Sequence, residues 1–144
     1  MHVIKIYSKI QPNKLLHIVY DCNNVTDRID LIPDEEFLQC SVVRKDSGKK
    51  FKEHKHIAKP IKSVEQIAQE SWFVYKGKIL VYHYDIDDSL IGTMILKEGQ
   101  INITLYGGHT LEILEDNTII CEQKNGPYYG QKLDKVFIGE NKNE

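Results

Sequence analysis

Residues 70–124 read ESWFVYKGKILVYHYDIDDSLIGTMILKEGQINITLYGGHTLEILEDNTIICEQK. Short runs rich in Val, Ile, Tyr, Phe and Thr recur there about every ten residues, broken at Lys76-Gly77, Asp85-Ile86-Asp87-Asp88, Lys97-Glu98-Gly99 and Asp116-Asn117. Branched and aromatic side chains suit a pleated, half-buried surface, while Gly, Asp and Asn supply turns. The pattern is that of an all-β sandwich or barrel, and no long helical period interrupts it. It predicts strands at 71–76, 78–85, 90–96, 101–106, 109–114 and 118–124. Working outward, the same signals predict strands at 2–8, 14–20, 36–44 and 50–56. Residues 57–69 are the exception, because Pro60 and the Ser63-x-x-Gln66 pair predict a loop with one helical turn. After Asn125, Gly126-Pro127 takes the chain out of the sheet as a tail, 125–144.

At 144 residues and 41 % hydrophobic content, the chain is expected to form one domain, 1–144, with its core about 36–124. A net charge of -2 with interspersed signs argues against nucleic acid and against a polybasic membrane patch. Lys49, Lys50 and Lys55 then read as rim charges. Cys22, Cys40 and Cys121 are odd in number and lack metal-type spacing, so free thiols in a reducing, cytoplasmic compartment are expected. Met1 to Ile10 alternates polar and apolar residues, unlike a signal peptide. No stretch has the length needed to span a bilayer.

Outward from the fold-deciding stretch lies His54-x-His56. On a strand, side chains two apart share a face, so both imidazoles can close on one metal ion. Glu70 and His109 would complete a site of three imidazoles and one carboxylate. The plain alternative is an accidental His-x-His pair in a chain of six histidines. Against it stand the spacings Gly48-x5-His54, Glu70-x6-Gly77 and Gly107-Gly108-His109, which fit a metal-binding barrel.

Treating each turn as a hairpin adds neighbours, because residues directly opposite on paired strands point to one face. A two-residue loop at Lys76-Gly77 would set Val74 opposite Ile79, Trp72 opposite Val81 and Glu70 opposite His83. A loop at 45–48 would set Gln39 opposite His54, and a turn at Asp116-Asn117 would set Lys124 opposite His109 and Glu122 opposite Leu111. Gln39, His83, Glu122 and Lys124 become candidate pocket groups, walled by Trp72, Val74, Leu111 and Ile113. Each has a plainer reading: His83 only orients Glu70, Lys124 and Glu122 pair with each other at the rim, and Trp72 is core.

These residues together resemble the cupin superfamily, small double-stranded β-helix (jelly-roll) proteins with a metal inside the barrel. The likeness covers roughly residues 36–138. Gly48-x5-His54-x-His56 with Glu70-x6-Gly77 looks like the first cupin motif split by an insertion, since thirteen residues separate His56 from Glu70. That insertion leaves Glu65, Gln66 and Gln69 as alternatives to Glu70. In the second motif Gly99 and Gly107 are in place, Leu105 replaces the proline, and His109 comes one residue early. Glu36-Phe37-Leu38-Gln39, Gln69-Glu70-Ser71-Trp72, Gly107-Gly108-His109 and Gly126-Pro127-Tyr128 further resemble small cupins of sugar-nucleotide and surface-polysaccharide pathways. The resemblance implies a jelly-roll barrel and one divalent ion (iron, manganese, nickel, cobalt or zinc) on His54, His56, Glu70 and His109. Imidazole and carboxylate accept all five metals. It also implies a homodimer through edge strands.

The expected activity is isomerisation or epimerisation of a sugar phosphate or sugar nucleotide. A polarised carbonyl would acidify the adjacent C–H, His83 would shuttle the proton, and Lys124 would steady a phosphate or enediolate. A ferrous oxygenase and a non-catalytic carbohydrate or small-ligand binder are the alternatives.

Overall fold

The computed structural model describes residues 3–56 and 66–139. The branched and aromatic runs become ten strands. They are β1 (Ile4–Tyr7), β2 (Leu15–Asp21), β3 (Arg28–Asp30), β4 (Ser41–Val43), β5 (Glu70–Lys76), β6 (Lys78–Tyr84), β7 (Leu90–Lys97), β8 (Gln100–Thr104), β9 (His109–Ile113) and β10 (Ile119–Lys124). One helical turn, α1 (Gln131–Asp134), follows in the tail. A five-stranded antiparallel sheet has the order β1-β2-β8-β5-β10, a three-stranded one β7-β6-β9, and β3 pairs with β4. Among the described residues no helix is long and apolar enough to cross a membrane. The three cysteines are free.

The all-β expectation holds, with differences. Residues 51–56 form no strand and are exposed, because nothing pairs with a run that carries Lys52, Glu53 and Lys55 among its histidines. The strand expected at 36–44 shrinks to β4, paired with the short β3 that composition does not signal. Residues 66–69 are not helical, and 57–65 lie outside the described residues. The described strands also form separate sheets and not one closed barrel.

The largest difference lies in the turns. β5 and β6 are not a hairpin: β5 pairs with β8 and β10, and β6 with β7 and β9. A favoured two-residue hairpin turn needs positive φ at both central residues (type I′) or at the first (type II′). Here only Gly77 is left-handed (φ 85°), so the chain turns a corner from one sheet into the other. From β5 onward, β7 to β8, β8 to β9 and β9 to β10 cross in the same way, and only β6 to β7 stays within a sheet.

The five-stranded sheet is covered on both faces. On one, Ile18, Tyr20, Ile101, Ile103 and Leu105 pack against Val25, Leu31 and Ile32 from the β2–β4 segment. On the other, Val19, Trp72 and Val74 meet Ile79, Val81 and Leu96 of the three-stranded sheet. Ile103 is fully buried in the first cluster, so Ile103→Ala will cost about 2–5 kcal/mol in urea unfolding. Ile95, exposed on β7, is the control: Ile95→Ala will change stability by roughly 0.5 kcal/mol or less, and equal losses at both positions would contradict this core.

Candidate functional site

Strand register lines polar residues up beside the apolar layer between the two sheets. Across the five-stranded sheet His17 sits opposite Thr104, Thr104 opposite Glu70, and Glu70 opposite Lys124. The next row holds Val19, Asn102, Trp72 and Glu122. On the facing sheet His83 sits opposite His109, beside the pair Val81 and Leu111. Directly opposed residues share a face, so three imidazoles and a carboxyl converge between the sheets. The His17 and His83 rings are 4.7 Å apart, and His109 Nε2 lies 3.8 Å from Glu70 Oε1.

Hydrogen bonds hold most of these groups. His83 Nε2 lies 2.7 Å from Asn102 Oδ1, and Asn102 Nδ2 lies 3.4 Å from Thr104 Oγ1. Thr104 Oγ1 is 3.0 Å from His17 Nδ1, and His17 Nε2 is 3.1 Å from the Tyr84 carbonyl oxygen. Asp85 secures that end of β6 by accepting from the Ser8 hydroxyl and the Lys9 N–H, each at 2.6 Å. His109 lies against Trp72, ring centres 4.4 Å apart, and its Nδ1 is buried without a partner. Trp72 Nε1 donates to Glu122 at 3.3 Å.

Burial sets the charges. It holds His17 at about 3, helped by the nearby His83, and His109 at about 4, helped by Lys135. Burial also lowers His83. Glu70 moves the other way, raised by burial and then by the charge and hydrogen bonding of Glu122. With His109 neutral, its 3.8 Å approach to Glu70 is a polar contact and not an ion pair. Both shifts favour uncharged forms, so proton acceptors stand beside a carboxyl biased towards keeping its proton.

The residues proposed from sequence divide. Glu70, His83, His109 and Trp72 come together, and Glu122 and Lys124 border them at β10. Their pairings differ from the hairpin expectation: His83 faces His109, Lys124 faces Glu70, and Glu122 faces Trp72. Trp72 is both core and wall. Val74 is buried and Leu111 partly buried, whereas Ile113 is half exposed. Lys124 does not pair with Glu122; its Nζ lies 2.9 Å from Asp134 and over the Tyr128 ring. Gln39 is exposed and donates to the Pro33 and Glu36 carbonyls. The missing strand at 51–56 removes the pairing that would have turned Gln39 inward.

His54 and His56 are exposed, with rings 5.6 Å apart and His54 Nδ1 2.9 Å from the Lys52 carbonyl oxygen. No hydrogen bond or ion pair among the described residues joins either to Glu70 or His109. The four-donor set is thus half assembled. Among the described residues no three His, Cys, Asp or Glu side chains are grouped so as to hold a metal ion.

Sequence reasoning missed His17, Asn102 and Thr104. The available signal was the alternation Gln100, Asn102, Thr104 in β8, which marks one polar face. It reads as a solvent face, yet all of β8 is buried. Two surface hollows, about 300 and 510 Å³, are lined by residues such as Lys14 and Tyr106 and by no member of the rows. The rows open instead at His109 and Lys124, each about one-fifth exposed.

Compared with known proteins, no family model, curated protein or solved structure matches the chain.

Proposed function

We propose that this chain is a jelly-roll protein of the cupin kind that moves a proton on a small sugar derivative, as an isomerase or epimerase. One observation carries the reading: a carboxyl raised by burial and imidazoles lowered by burial lie between the same two sheets. Groups whose environments push their pKa values in opposite directions can divide acid and base work. In this reading His83 takes the proton from the carbon beside a carbonyl. The C–H electron pair becomes an enediol double bond, and the carbonyl oxygen takes a proton from Glu70. The protonated His83 then returns its proton to the former carbonyl carbon while the other enediol hydroxyl gives its proton to the Glu70 carboxylate, which makes the new carbonyl and restores both groups. In the same reading Lys124, whose Nζ lies 2.9 Å from Asp134, meets an anionic substituent.

Proton exchange tests this without knowledge of the product. In deuterium oxide, with a panel of sugar phosphates and nucleotide-linked ketosugars, wild type will wash deuterium into one carbon position. Folded His83→Gln will do so at least about a hundredfold more slowly. Tight binding without exchange would leave a ligand-binding protein, and oxygen uptake with ferrous ion would favour the oxygenase.

A second reading, that of a metal-binding cupin, is favoured by the unpartnered His109 Nδ1. Its remaining donors would be Glu70, His54 and His56. Elemental mass spectrometry will then find near-stoichiometric divalent metal in wild type and little in folded His54→Ala/His56→Ala. Little metal in both after reconstitution would sink this reading. Homodimerisation through β1, an edge of the five-stranded sheet, belongs to the same proposal, as does a cytoplasmic location.

A further inference from the structure

His83, Asn102, Thr104 and His17 stand in file, and the last contact gives the file a direction. A backbone carbonyl oxygen has no hydrogen to donate. The 3.1 Å contact with the Tyr84 oxygen therefore places a hydrogen on His17 Nε2. His17 is fully buried and pairs with no carboxylate among the described residues, so it is neutral and carries only that hydrogen. Its Nδ1 must accept, and the Thr104 hydroxyl, 3.0 Å away, donates.

Thr104 has then used its one hydrogen, and its oxygen receives the Asn102 amide hydrogen at 3.4 Å. That contact sets which way the Asn102 amide points and turns its Oδ1 to His83. At 2.7 Å an amide oxygen requires a donor, so the His83 hydrogen sits on Nε2. His83 Nδ1 is left bare.

We infer that His17 is a positioning residue that, through Thr104 and Asn102, holds His83 as its Nε2–H tautomer and makes Nδ1 the proton-accepting atom. The role of the bare nitrogen rests on the function proposed above; the tautomer does not. The arrangement also explains a histidine fully buried beside another: a side chain ending at a fixed carbonyl can report one orientation to the next group in line. Tyr84 is held in turn, since its N–H donates to the Gly108 carbonyl at 2.8 Å and its own carbonyl accepts from the Gly108 N–H at 3.2 Å.

Long-range proton–nitrogen correlation spectra of the 15N-labelled protein at neutral pH read each tautomer directly. Wild type will show pyrrole-type Nε2 and pyridine-type Nδ1 for both His17 and His83. Thr104→Val removes the hydroxyl at nearly constant shape, frees the Asn102 amide to turn, and will give His83 the averaged nitrogen signals of a mixed tautomer. Thr104→Ser will restore the single form. Adding Asn102→Asp to Thr104→Val will restore it too, because a carboxylate accepts from Nε2 whichever way it faces.

An Nδ1–H form of either histidine in wild type overturns the inference, even if the valine variant fails to fold. A folded Thr104→Val that keeps the wild-type His83 pattern overturns the part given to His17. Spectra of the expected kind together with no proton exchange on any sugar would count against the proposed function alone.

Discussion

Acidification from pH 7 to 4.5 will cost the fold roughly 2–3 kcal/mol through His17 alone. Burial first, and the neighbouring His83 second, hold this imidazole at about 3 against an ordinary value of 6.5. The sign follows from which state binds the proton. Below pH 6.5 the unfolded chain protonates His17 while the folded chain does not, so acid favours unfolding. The full stability is present above pH 6.5 and is lost as the pH falls towards 3, where the folded form also takes the proton. Asp85 opposes the shift and is outweighed by burial. His109, held at about 4, contributes in the same direction over a shorter range. Urea unfolding at pH 7, 6, 5 and 4.5 measures the slope, about 1.4 kcal/mol per unit for each histidine well inside its window. A flat profile between pH 6.5 and 4.5 would show that His17 is not held neutral by the fold.

Gly107→Ala will be at least as damaging, by about 2–5 kcal/mol. Gly107 has φ 76°, a conformation that costs an L side chain about 1–2 kcal/mol. Its added Cβ would also sit 2.4 Å from the Tyr84 carbonyl oxygen, which is backbone and already receives His17 Nε2 and the Gly108 N–H. That oxygen has little room to retreat. Gly48 provides the comparison, with φ 86° and nothing within 4 Å of an added Cβ. Gly48→Ala will show the backbone cost alone, about 1 kcal/mol. If both variants lose the same stability in urea, the close approach at Gly107 does not exist.

Strand identity was legible in this sequence because the branched and aromatic runs are dense and their turn residues distinct. Eight of the ten strands fall where such runs predict them, from β1 and β2 through β5 to β10. β3 escaped because three residues, Arg28–Asp30, carry no pattern. What composition cannot express is which sheet a strand joins. Lys76-Gly77 reads as a hairpin turn or as a corner with equal ease, and the difference moved His83 from beside Glu70 to beside His109. Glu70 and His83 still reached the same interior, because each entered it from its own sheet. His17 was hidden for a related reason. Its strand is buried from Leu16 to Tyr20, so no alternation marks one face as special. The segment with His54 and His56 carried the strongest motif and forms no strand, since local side-chain pattern alone gives it no partner.

The corners between sheets carry a consequence for how the molecule comes to exist. His17 and Thr104 are opposite one another yet separated by 87 positions in the chain, and Trp72 and Glu122 by 50. Contacts of this kind close large loops before they return any stabilisation, which places the protein among slow, non-local folders. The β1–β2 and β6–β7 hairpins can form early, but each brings one buried histidine, His17 or His83. His109 and Glu70 join them only through the longer-range pairings of β9 with β6 and of β5 with β8 and β10. The polar rows between the two sheets are thereby completed only with the global fold.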